Sequence, residues 1–264
     1  MQPRIVTLPS AKIREVARVA LEGCWKQIAL FMFFYYLITT GVSNVLDLFF
    51  YTYQEVPLWD TGEVLSQYVY YGSTIYSVLI GGPVGWSLAR FMLDFFRYQK
   101  LDNMTLLEGF SHFGRTFILM FVMGVKIFLW SLLFLIPGII ASFRYSQAFY
   151  VMVDHPEYTA NQCLQESSRI MVGNKFKFFC LNLSFLGWNI LAALPAVCFA
   201  TMLAEATGFV SILLDLIFSI PILFLNAYLN VAVTVFYELA IDNLTIVDEA
   251  APAAEDGGEG RTTE

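Results

Sequence analysis

"PGIIASFRYSQAFY", Pro137 to Tyr150, places an arginine seven residues after a proline in the middle of a long apolar region. A bare guanidinium at the centre of a bilayer costs roughly 2.5–3.5 kcal/mol on insertion scales. The stretch therefore poses a fold question before a functional one. A second segment, "PVGWSLARFMLDFF" from Pro83 to Phe96, has the same order: proline, six residues, arginine, aromatic, three residues, two aromatics. A third, "PILFLNAYLNVAVTVFY" from Pro221 to Tyr237, keeps the proline and a later aromatic pair, with Tyr228 at the arginine position between Asn226 and Asn230.

Around these three segments the chain is 58% hydrophobic and only 14% charged. Soluble domains are about a quarter charged, so one soluble core could not hide this much apolar surface. Apolar blocks fall at 28–50, 75–96, 116–136, 138–153, 178–200 and 209–240. Most approach the ~20 residues that a helix needs to cross a bilayer. The expected fold class is all-α, a polytopic membrane helical bundle of six transmembrane helices. The first block starts some 25 residues in and lacks a small-residue cleavage site, so it reads as a retained span rather than a signal peptide.

Basic residues set the expected threading. Arg4, Lys12, Arg14, Arg18 and Lys26 precede the first block, Arg97, Lys100 and Arg115 separate the second and third, and Arg169, Lys175 and Lys177 separate the fourth and fifth. Segments 51–74 and 201–208 carry no lysine or arginine. The pattern predicts a multi-pass protein with both termini cytoplasmic.

Each pair of spans is preceded by a shorter segment. Residues 11–23, "AKIREVARVALEG", are amphipathic but too charged to span, which suits an interfacial helix. Comparable short helices are expected at 104–113 and 157–171, giving three repeats of interfacial helix plus transmembrane hairpin. Segments 61–82 and 206–219 are open to three readings: re-entrant, interfacial or part of long spans. The proline of each repeat is expected in the first turn of its span, where a missing N–H costs nothing. The domain reading is a cytoplasmic N-terminus with its interfacial helix at 1–27, a membrane domain at 28–240, and an acidic disordered cytoplasmic tail at 241–264.

Within the spans, Lys126 and Arg144 are cations with few obvious acidic partners. Arg90 lies one turn from Asp94 and can pair with it. Asn226 and Asn230 add neutral donors and acceptors. Two uses compete: these six residues line a wet cavity that accepts an anion, such as a lipid phosphate, or they join the repeats through interhelical hydrogen bonds. Cys24, Cys163, Cys180 and Cys198 have no CxxC spacing, and His112 and His155 belong to no HExxH pattern. With no nucleophile elbow and no phosphate-binding loop, neither catalysis nor a metal or other cofactor is expected. The chain has no basic patch for nucleic acid.

The segments "ARVALEGCWKQIAL", "GGPVGWSLARFMLDFFR", "LLEGFSHFGR" and "FLWSLLFLIPGIIASFRYSQAFYVMVDHPEYTANQCLQESSRIMVGNKFKFFCLNLSFLGW" together resemble the DUF975 family of bacterial integral membrane proteins, whose function is uncharacterised. The resemblance extends to about residue 240 and leaves out the acidic tail. It implies a place in the bacterial cytoplasmic (inner) membrane. The family's membrane domain is distantly similar to those attached to some glycerophosphodiester phosphodiesterases, which points to lipids; it supplies no catalytic residue to carry over. The function expected is a non-catalytic one exerted through membrane lipids, anionic phospholipid among them, or through a membrane-protein partner. The alternatives are a transporter or channel with an anion-accepting intramembrane cavity, and protection against a membrane-active peptide.

Overall fold

The computed structural model describes residues 4–57, 64–198 and 209–244. Most of the acidic tail, from residue 245 on, lies outside the described residues. The described chain is helical apart from one hairpin. Short helices α1 (Ser10–Leu21), α5 (Thr105–Ser111) and α9 (Ala160–Ile170) fall inside the expected short-helix segments, to within a residue at the start of α1. After α1 come α2 (Trp25–Tyr36), a π-turn at Leu37–Gly41 and α3 (Val42–Asp47). The other helices are α4 (Tyr71–Tyr98), α6 (Phe113–Leu133), α7 (Leu135–Tyr145), α8 (Ala148–Asp154), α10 (Lys175–Cys198) and α11 (Phe209–Ala240).

Among the described residues, four stretches are long and apolar enough to cross a membrane: Trp25–Asp47, Phe113–Leu133, Lys175–Pro195 and Ile212–Ala240. The two blocks missing from that set are the ones that carry the Pro–Arg motif. The first, α4, has the length, but Arg90, Asp94 and Arg97 put three charges into its C-terminal half. The second, expected as one span at 138–153, is two helices, because the chain turns at Ser146–Gln147 between α7 and α8.

Two local features depart from the sequence reading. Strand β1 (Tyr51–Pro57) pairs antiparallel with β2 (Val64–Tyr70), Tyr51 opposite Tyr70 and Pro57 opposite Val64, a local hairpin in a chain whose described fold is otherwise all-α, as expected. Aromatic and β-branched residues at Tyr51-Thr52-Tyr53 and Tyr68-Val69-Tyr70 favour that pairing. Pro83 and Pro221 sit inside α4 and α11 rather than in a first turn; only Pro137, the third residue of α7, occupies the expected place. Residues 71–82 and 209–219 accordingly belong to long continuous helices. At about 1.5 Å per residue α4 and α11 run roughly 42 and 48 Å, longer than ~30 Å of hydrocarbon.

Burial divides the molecule along those two helices. Toward their C-terminal ends, Phe91, Met92, Leu93 and Phe95 of α4 and Val231, Val235, Phe236 and Tyr237 of α11 are fully enclosed. The short helices close around them: α1 supplies Ile13, Ala17 and Leu21, and α9 supplies Cys163 and Leu164. Toward the opposite end, Phe128 and Leu132 of α6, Ile190 and Val197 of α10 and Val210 and Ile217 of α11 are exposed. A contiguous apolar surface of that extent is what a bilayer covers.

Close backbone approach fixes how α5 and α6 cross α4. A Cβ at Gly82 would stand 2.6 Å from the Thr116 carbonyl oxygen, and one at Gly109 would overlap the Pro83 carbonyl. The Gly109 N–H donates to Ser87 Oγ at 3.0 Å.

Candidate functional site

Helix α9 builds the candidate site, and its start is defined locally. Thr159 caps it: Gln162 N–H donates to Thr159 Oγ1, and Thr159 N–H donates to Gln162 Oε1 at 2.8 Å. Both groups would otherwise be orphan donors at a helix end. Arg115, at the start of α6, holds the preceding loop by donating to the carbonyls of His155 (3.1 Å) and Tyr158 (2.6 Å). At the other end, buried Asn174 donates to the Ile170 and Arg4 carbonyls and accepts from Val6 N–H. Leu164 and Ser167 turn inward, while Asn161, Gln165 and Ser168, spaced four and then three residues apart, share a face.

That face meets Lys126 of α6 and Arg144 of α7. Lys126 Nζ donates to Asn161 Oδ1 at 3.0 Å, and Arg144 Nε donates to Ser168 Oγ at 2.5 Å. Tyr145 stands between the two cations, with Lys126 Nζ 5.9 Å and Arg144 Cζ 5.8 Å from its ring centroid. Together with Leu164 and Gln165 these side chains line an open cleft of about 300 Å³. Among the described residues neither cation lies within salt-bridge distance of a carboxylate; the nearby Glu166 pairs with Arg169 at 2.7 Å. The cleft thus carries two positive charges met only by neutral oxygens and an aromatic face. On the buried side of α9, burial pushes the Cys163 thiol upward, which keeps it protonated and inert.

The structure does not gather all six of the sequence's candidates. Arg90 Nε donates to Asp94 at 2.9 Å within α4, and Arg90 lines a different pocket with Trp86, Glu108, His112 and Arg115. Asn230 Nδ2 donates to the Asn226 carbonyl of its own helix at 2.8 Å. Neither asparagine lines the Lys126–Arg144 cleft. In their place stand Asn161, Gln165 and Ser168, whose common face was legible in the 157–171 segment, and Tyr145 from the motif itself.

A second polar centre escaped sequence reasoning. Arg97 Nη1 and Nη2 fork onto Asp154 at 2.6 and 2.9 Å, and Arg97 Nε donates to Glu238 at 2.8 Å. Tyr237 Oη donates to Asp154 at 2.8 Å, and Asn243 donates to Glu238. This cluster ties the C-terminal ends of α4, α8 and α11. Its three charged members, Arg97, Asp154 and Glu238, are each more than 50 residues apart in sequence, so no local spacing announces it.

The described chain is thus a helical protein with four helices fit to cross a membrane and one cleft of unneutralised positive charge at its short-helix end. Residues 132–243, which take in α7 to α11, match the family described as protein of unknown function (DUF975), the family that the motifs resemble. No curated protein and no solved structure matches the chain.

Proposed function

We propose that the chain is a non-catalytic, multi-pass protein of the bacterial inner membrane that works by holding an anionic group, from membrane lipid or from a membrane-protein partner, in the Lys126–Arg144 cleft. The observation that carries this reading is the convergence of two cations from two helices on one cleft without a carboxylate between them. A cation kept only to join helices gains most from an acidic partner, as Arg97 and Arg90 have; these two have none among the described residues. Six crossings with both termini cytoplasmic complete the proposal. Support comes from the length of α4, from α7 and α8 as a fourth crossing in two pieces, and from the alternation of basic segments. The order of one short helix before two longer stretches, three times over, supports the repeats.

Transport of an anion is the second reading. The break between α7 and α8 favours it, since discontinuous helices line substrate sites in transporters. Gln147, at that break, is fully buried and its Oε1 has no partner.

The two readings share a first test. Adding anionic lipid or a soluble organic phosphate to the full chain in neutral detergent is expected to raise its melting temperature, since a ligand at 100 times its Kd adds about 2.7 kcal/mol. The double variant Lys126→Gln/Arg144→Gln should lose that response. An equal rise in the variant refutes the site. Accumulation of the anion in proteoliposomes would favour transport over retention.

A further inference from the structure

The surface around the cleft says what kind of molecule its anion belongs to. On α6, Leu129, Trp130 and Leu133 lie three, four and seven residues beyond Lys126, on the same helical face. On α7, Ile140 and Ile136 lie four and eight residues before Arg144, again on its face. All five side chains are exposed. From the two cations, therefore, an apolar strip climbs the α6–α7 hairpin away from α9, while on the other side the exposed edge of α9 is polar, with Asn161, Gln162 and Gln165. Positive charge, neutral donors and an apolar wall follow one another along a single line.

We infer that the cleft takes the phosphate headgroup of a phospholipid from the adjacent leaflet, and that the lipid's acyl chains lie along Leu129, Trp130, Leu133, Ile136 and Ile140. This rests on the anion reading given above and names its ligand. The donor set is suited to phosphate: Arg144 offers a planar fork, Lys126 a compact point charge, and Ser168 a hydroxyl. Two cations without acids balance a phosphodiester with charge to spare, and match a phosphomonoester. Size decides where the rest of the lipid goes. A cleft of about 300 Å³ is at the low end for a small-molecule site, so it admits a headgroup and leaves the chains on the outer strip. The cleft is open to the surface, so the lipid enters sideways from the bilayer with its chains never leaving hydrocarbon. A free phosphate would fill the cleft and leave the strip unused, at no cost to itself, whereas an amphiphile uses both.

The test is lipid retention by the full chain, read by native mass spectrometry after exchange into a neutral detergent containing equal phosphatidylglycerol and phosphatidylcholine. The wild type should retain phosphatidylglycerol over phosphatidylcholine by about tenfold, because the choline cation that cancels the phosphate charge is repelled by Lys126 and Arg144. Arg144→Gln and Lys126→Gln should each abolish the preference. Leu133→Ser with Ile140→Ser should lower the total retained and leave the preference intact. Millimolar inorganic phosphate or glycerol 3-phosphate should not displace the lipid. If soluble phosphates bind as tightly as the lipid and the serine changes have no effect, the lipid assignment falls while the anion reading stands. If neither lipid nor soluble phosphate binds, both fall. Should Arg144→Gln not fold, Lys126→Gln, whose hydrogen bond is to exposed Asn161, carries the same comparison.

Discussion

Arg97 reaches two carboxylates on two other helices, and burial makes that arrangement consequential. Asp154 is 10% and Glu238 2% exposed, against 21% for Arg97. Removing the guanidinium leaves two enclosed negative charges with hydroxyl and amide donors only. A buried pair broken on one side typically costs about 3–5 kcal/mol. Arg97→Leu is therefore expected to lower the melting temperature in detergent more than any single change in the Lys126–Arg144 cleft. Arg97→Lys should recover only part of the loss, because an ammonium cannot fork onto Asp154 and reach Glu238 together. A neutral Arg97→Leu would mean that the cluster is dispensable to the fold. Arg144 differs in kind: its side chain is exposed and its one hydrogen bond goes to a serine hydroxyl. Arg97 follows directly on the first motif and Arg144 lies within the second, yet one locks helices and the other leaves charge available.

At the scale of the element, α9 couples the cleft to the rest of the fold. It is short, at 11 residues, and isolated helices of that length are marginal. Its capping box, the Arg115 contacts to the loop and the buried Asn174 hold it in place. Thr159→Ala removes the cap, which costs about 0.5–2 kcal/mol. The expected result is a small drop in global stability with a larger rise in hydrogen exchange along 160–170, since the helix frays before the bundle opens. Uniform exchange across the chain would refute α9 as a separately stabilised element. The α7–α8 break acts alongside it. Ser167 Oγ donates to the Arg144 carbonyl and accepts from Gln147 N–H, so α9 satisfies the backbone that the turn frees. The same contacts that permit the break place Arg144 against Ser168.

For the whole molecule, the division between an enclosed end and an exposed apolar end matches the division of basic residues. Arg97, Lys175 and Lys177 lie at the enclosed end, and the helices of the opposite end present leucine, isoleucine and phenylalanine outward. A topology with the enclosed end in the cytoplasm makes a direct prediction. Single cysteines replacing Asp60 or Glu205, in segments without lysine or arginine, should react with an impermeant thiol reagent applied outside intact cells. Those replacing Lys100 or Lys175 should react only after permeabilisation. Labelling of all four from one side would overturn the six-crossing proposal.

Composition and periodicity alone determined that the chain is helical and apolar. They located α1, α5 and α9, because a stripe of hydrophobic residues at helical spacing is a local property. They singled out Lys126 and Arg144 because charge within an apolar run is conspicuous wherever it falls. The tertiary structure alone decided what those charges face. Asn161 and Ser168 are 35 and 24 residues away in sequence, and only the fold of α9 across α6 and α7 brings them near. It also decided that Asn230 bonds back onto its own helix, that Arg97 gathers Asp154 and Glu238, and that the proline of the second motif opens α7 while that of the first sits inside α4. A proline can be accommodated within a helix or can begin one, and the neighbours that satisfy the freed backbone groups settle which. Those neighbours come from distant parts of the chain, so no window of sequence contains them.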